Sequence, residues 1–137
     1  MREIKFRGWD AKHKKMYYPV YFDNLEVWWW EPEKDEMEIL GDRNPNGMLI
    51  HIELMQHTGI KDKNGGEAYA GDITQMSCLS GEKIVCVIAW NTARAQWRME
   101  PTLITQKRGY IKMGWDLNRP FEIIGDIYNS PELLEGE

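Results

Sequence analysis

Apolar and polar residues alternate with a period of two along much of this chain, and short polar turns interrupt the alternation. Ile4, Phe6 and Trp9 sit among Arg2, Lys5 and Arg7, the pattern of a half-buried strand. Asp10 to Lys15 is a polar turn. Met16 to Phe22 is aromatic and extended, but Pro19 lacks an amide donor, which predicts an edge strand or an irregular piece. Leu25 to Trp30 has strong β-propensity, and an extended backbone puts Trp28 and Trp30 on one side and Trp29 on the other. Glu31 to Asp42 is acidic and polar, so it reads as a surface excursion with one helical turn at Glu33 to Met37. Asn44-Pro45-Asn46-Gly47 and Asp62-Lys63-Asn64-Gly65-Gly66 are turn sequences, because Asn and Gly tolerate positive φ.

Later segments follow the same logic. Leu49 to Gln56 is a short apolar piece, and Gly71-Asp72-Ile73 opens another strand. Ile84 to Trp90 is continuously apolar, which predicts a strand buried on both faces. After a turn at Asn91-Thr92, Ala93, Ala95, Trp97 and Met99 alternate with Arg94, Gln96 and Arg98, so the two arginines should face water. Tyr110 to Met113 and Phe121 to Tyr128 read as two further strands. Ser130-Pro131 opens a short helical turn, with Ser as N-cap and Pro at the first helical position. Gly-Asp-Ile occurs at 71–73 and again at 125–127, which reads as two strands meeting similar turns. Many short strands with little helical periodicity predict a mainly β fold, a small barrel or roll, whose edge strands must be hidden.

Charge refines this picture. The net charge of −5 disfavours diffuse binding of nucleic acid over the whole surface. That average hides local extremes. Residues 1–22 carry six bases and two acids, residues 23–42 eight acids and one base, and residues 83–119 seven bases and two acids. Two cysteines are too few for a disulfide scaffold. The longest apolar run, Ile84 to Trp90, is too short to span a bilayer, and the first residues lack the apolar stretch of a secretory signal. A cytoplasmic protein with no membrane partner is therefore expected.

Three stretches carry a family resemblance. They are Met1-Arg2-Glu3-Ile4-Lys5-Phe6-Arg7-Gly8-Trp9-Asp10, then Leu54-Met55-Gln56-His57-Thr58-Gly59-Ile60-Lys61-Asp62-Lys63-Asn64-Gly65 running on to Gly71-Asp72-Ile73, and finally Phe121-Glu122-Ile123-Ile124-Gly125-Asp126-Ile127-Tyr128 through Leu134. In this order they resemble the YopX family of phage and prophage proteins. Gly8 stands where that family usually has alanine, and His57 where it has tyrosine. The resemblance implies an SH3-like β-barrel over residues 49–137 and an N-terminal β extension over residues 1–48. It further implies a phage or prophage origin, an intracellular setting and a homo-oligomer. It supplies no catalytic residue and no cofactor. The Trp triplet lies in the variable part.

Candidate chemistry is sparse. Cys78, Cys86, His13, His51 and His57 lack the close spacing of a structural zinc site. A hairpin centred on Glu82 would set Cys78 opposite Cys86, whereas buried thiols in a reducing cytosol would be inert packing. No nucleophile elbow or phosphate loop is present, so a non-enzymatic binding protein is expected and an enzyme stands third. Trp28, Trp29 and Trp30 are the interface candidates, because three consecutive rings cannot all enter one small core and tryptophan is enriched in binding hot spots. The partner would be a second copy or another host or phage protein. The alternative is nucleic acid, held through Arg94, Arg98, Lys107 and Arg108 with the aromatic residues among them.

Overall fold

A computed structural model describes residues 5–23, 26–47, 49–77, 81–102, 105 and 114–135. The described chain is mainly β, with two larger antiparallel sheets and no closed barrel. It divides into two compact units, Met1–His57 and Thr58–Glu137.

The first unit is a meander. Strands β1 (Phe6–Asp10), β2 (Lys15–Asp23), β3 (Glu26–Glu31) and β4 (Glu36–Leu40) pair in succession, and β7 (Ile52–Lys61) joins β1 on its other side. A short ribbon of β5 (Asp42–Arg43) and β6 (Leu49–Ile50) lies between them in sequence. One face of the meander buries Val20, Val27, Leu40 and Ile52, with Phe6, Tyr17, Trp29 and Leu54 packed against them. Two expectations change here. Pro19 does not mark an edge: β2 is an interior strand, and its ladder with β1 shifts register around the cis Tyr18–Pro19 bond, which leaves that proline outside the regular pairing. The acidic excursion is not helical either. Residues 32–35 turn, and Glu36–Leu40 then pairs with β3, since a strand lets Leu40 enter the buried cluster opposite Val27 and sets Met37 and Ile39 on the other face.

The second unit begins inside β7, whose Ile52 to Gln56 are committed to β1 by their ladder. Here β8 (Glu67–Tyr69) is followed by a five-stranded sheet of order β12-β11-β10-β9-β13, made of β9 (Asp72–Ser77), β10 (Lys83–Asn91), β11 (Gln96–Pro101), β12 (Trp115–Asp116) and β13 (Glu122–Asp126). The sheet is open, because β12 and β13 stand at opposite ends of it. Of the expected small barrel or roll, the mainly β class holds, and among the described residues no closed barrel forms. A short helix, α1 (Glu132–Glu135), follows the Ser130 carbonyl, which accepts the Leu133 amide at 3.1 Å. The expected strand at Tyr110 to Met113 lies outside the described residues.

In β10, Ile84, Cys86 and Ile88 point into a core shared with Ala68, Met99, Leu117 and Phe121. Only this face is fully buried, so the strand alternates despite its continuously apolar sequence. Trp90 has the inward parity but lies past the end of that core; it is 52 % exposed and leans edge-on against Trp97 at 5.3 Å. The next strand starts later than its alternation suggests. Thr92 to Ala95 form the turn, fastened by the Asn91 carboxamide oxygen accepting the Arg94 amide at 3.0 Å.

Carboxylates close the turns. Asp62 accepts the amides of Asn64 at 3.0 Å, Gly66 at 2.7 Å and, far along the chain, Ile123 at 3.0 Å. The two Gly-Asp-Ile segments lie side by side, with Gly125 opposite Ile73 and Asp126 opposite Asp72. Both aspartates cap nearby backbone. Asp72 accepts the Tyr69 amide at 2.7 Å, and Asp126 those of Tyr128 at 2.9 Å and Asn129 at 2.8 Å. Gly125 is where α1 and its cap approach β13. A Cβ there would stand 2.6 Å from the Ser130 hydroxyl and 3.2 Å from Leu133 Cδ1.

Burial works to raise the Asp62 pKa, but the Ile123, Gly66 and Asn64 amides and the Lys63 charge outweigh it and hold the carboxyl below the usual aspartate range. A depressed folded pKa means the contribution is complete above the unfolded value and is lost as pH falls through the folded one. Asp62→Asn should therefore flatten the acid limb of the stability curve below about pH 4. It should also cost about 2 kcal/mol at neutral pH through weakened charge-assisted hydrogen bonds, measured by urea denaturation. Gly125→Val should cost about 2 kcal/mol by overpacking against Ser130 and Leu133, read in the same assay.

Candidate binding surface

Sheet geometry sorts the three tryptophans. Val27 and Trp29 face the buried cluster of the first unit, so Trp28 and Trp30 occupy the opposite face. Directly opposed residues share a face. Tyr21 is opposite Trp28, Trp28 is opposite Ile39, and Trp30 is opposite Met37. The outcome is an outer surface of five apolar or aromatic side chains without a charge among them. Tyr21 is 51 % exposed, Trp30 45 % and Ile39 50 %, while Trp28 is half-buried between its neighbours. The Trp28 indole nitrogen is covered and has no acceptor among the described residues. Sequence reasoning found the Trp pair on this face but missed Met37 and Ile39, because a run dense in Glu masked a period-two strand.

The inner face differs. Tyr17 and Trp29 meet edge-to-face at 4.6 Å, and the Lys15 ammonium lies 4.9 Å from the Tyr17 ring and 5.5 Å from the Trp29 ring. These residues floor a cleft of about 310 Å³ that Asp10, His13, Glu38 and His51 also line. Several of its charges are paired. Asp10 accepts from His13 Nδ1 at 2.8 Å and from the Lys12 and His13 amides, Lys34 meets Glu38 at 2.7 Å, and Lys12 meets Asp42 at 3.6 Å. Burial tends to raise the Asp10 pKa, yet the hydrogen bonds and charge of His13, with the Lys12 amide, hold it below the usual range. Asp10 thus serves as the organiser of the β1–β2 turn. Among the described residues, no three His, Cys, Asp or Glu side chains gather as a metal-ligand set.

Of the four basic candidates, the two described residues differ in setting. Arg94 is exposed in the β10–β11 turn. Arg98 is only 7 % exposed, and its guanidinium donates to the Gln96 side chain and to the Gly114 carbonyl at 3.0 Å. The expectation that it faces water is overturned: it lies opposite Asp116 in the ladder, and its fork ties β11 to the backbone leading into β12. Lys107 and Arg108 lie outside the described residues.

The hairpin register sets Cys86 opposite Thr74, because the β9–β10 turn centres nearer residue 80 than Glu82. The pairing with Cys78 is therefore not at this register, and Cys78 itself lies outside the described residues. Burial, with a smaller push from the Glu100 charge, drives the Cys86 thiol up to about 12. No helix among the described residues is long and apolar enough to cross a membrane.

The whole chain has counterparts. The profile of the family described as YopX protein matches residues 5–135. The crystal structure of protein EF1440 from Enterococcus faecalis is similar with a TM-score of 0.60 and 26 % sequence identity, covering 98 % of this chain and 99 % of that one. No functionally curated protein matches the chain.

A thiol this buried should resist alkylation. In native buffer Cys86 should react with iodoacetamide at least about a hundredfold more slowly than in denaturant, followed by peptide mass spectrometry.

Proposed function

The chain belongs to the YopX protein family, and we propose that it acts by binding, its first partner being a second copy of itself. One observation carries this reading: the outer face of β2, β3 and β4 displays Tyr21, Trp30, Met37 and Ile39 around Trp28, with Glu26 at one end of the patch. Exposed apolar patches of this kind are uncommon on monomers unless they bind something.

The chemistry of the patch favours a copy of itself. An isologous interface sets the same surface on both partners, and the five apolar or aromatic side chains meet their own copies without repulsion when Glu26 stays at the rim. Pairing of β4 edges would instead bring Glu36 and Glu38 of both copies together, which like-charge repulsion disfavours. Face-to-face packing therefore fits better than a continuous sheet. The exposed side chains offer on the order of 400 Å² of apolar surface per copy, so two copies would bury about 800 Å². That is the range of weak, reversible association.

The setting is that of the resemblance, a phage- or prophage-encoded, non-enzymatic protein inside a bacterial host. A host or phage protein could use the same face once the dimer opens. The SH3-like comparison extends at most to the strand succession of the second unit.

Sedimentation velocity over a concentration series tests the reading. The average mass should rise from the 16.2 kDa of one chain toward twice that value. Trp30→Ser with Tyr21→Ser should weaken association roughly 30-fold, the effect of losing a binding hot spot, with an unchanged far-ultraviolet spectrum. A parent chain that stays at 16.2 kDa up to millimolar concentration overturns the proposal.

A further inference from the structure

The second unit contains a cleft of about 250 Å³ assembled from three separated segments. Lys63 comes from the turn after β7, Gln75, Ser77 and Lys83 from the facing ends of β9 and β10, and Arg119 and Glu122 from the approach to β13. Hydrogen bonds hold these segments in register. The Lys63 amide donates to the Phe121 carbonyl at 2.9 Å, and Asp62 accepts the Ile123 amide. Lys83 is opposite Ser77 in the ladder, and Glu122 is opposite Gln75.

We infer that this cleft is a phosphate site, built for the phosphate group of a nucleic-acid backbone or of a small phosphate compound. Among the described residues, three cationic side chains line it against one carboxylate, Glu122. The nearby Asp62 has its oxygens engaged by the Asn64, Gly66 and Ile123 amides. Lys83 Nζ donates to the Ser77 hydroxyl oxygen at 3.2 Å, which leaves the hydroxyl hydrogen to point toward a ligand. The Gln75 carboxamide adds a neutral donor. Ammonium, guanidinium, hydroxyl and amide donors together match an oxyanion that has several acceptor oxygens. The volume admits one phosphate and part of its substituent, and it lies below the ordinary range of pockets that enclose a whole ligand. No aromatic side chain among the described residues lines it, so recognition would be of phosphate and not of base identity. The site is independent of the apolar face of the first unit.

Titration of the full chain with inorganic phosphate and, separately, with a dye-labelled oligothymidylate tests the inference, with amide NMR shifts as readout. The amides of Gln75, Ser77 and Lys83 should move with at least one ligand. Movement with inorganic phosphate identifies a small phosphate compound as sufficient; movement with the oligonucleotide alone identifies a backbone site. In the oligonucleotide arm, three contacts predict affinity falling roughly 20-fold between about 50 and 200 mM salt. Arg119→Glu should weaken binding about tenfold, while Arg94→Glu, outside the cleft, should leave it within about twofold. The inference is overturned if neither ligand moves these amides, if Arg119→Glu binds like the parent, or if Arg94→Glu weakens binding equally.

Discussion

The Asp62 carboxylate is the contact on which the second unit's geometry most depends. A chain built from short strands has many turns, and each turn strands amide donors that no ladder partner reaches. Asp62 gathers two such donors from its own turn and a third from Ile123, so one charged group closes a loop and fastens β13. With the Lys63 amide on the Phe121 carbonyl, it places Phe121 in the core and Arg119 beside Lys63. Asp10, Asp72 and Asp126 repeat the arrangement at other strand ends. Four of the 22 acidic residues are thus employed in holding backbone.

The remaining charge shapes two surfaces of opposite character. In the first unit, β4 interleaves carboxylates with Met37 and Ile39, which leaves one face apolar and gives the edge a repulsive guard. Such guarding of an exposed edge is a familiar defence against uncontrolled strand addition. The second unit gathers Lys63, Lys83 and Arg119 around one cleft despite the acidic average. Binding by apolar burial and binding by phosphate contact respond oppositely to salt, so the two proposals separate experimentally.

Legibility varied residue by residue. The polar turns at 11–14 and 62–66 and the Ser130 helix opening were visible because their causes lie within four residues. The opposed faces of Trp28 and Trp29 followed from strand parity alone. Lys63 gave no signal as a site residue, since Arg119 is far away in sequence and the Asp62–Ile123 and Lys63–Phe121 bonds bring the two segments together. Arg98 looked like a water-facing cation by parity, but parity is silent on whether another segment covers the outer face, and the backbone at Gly114 does so. Trp90 had the parity of a core residue and failed for a similar reason: the core ends at Ile88.

The amino-acid order by itself determined the β class, the turns, the family and the side of each strand on which a residue falls. These follow from backbone sterics and hydrogen bonds between near neighbours. Tertiary structure alone decided that Pro19 lies in an interior strand, that the acidic run pairs with β3, that the second sheet stays open, and which cations share a cleft. Those outcomes depend on which strands pair and which faces are covered. Both are settled by contacts between segments distant in sequence, where no local pattern records the partner.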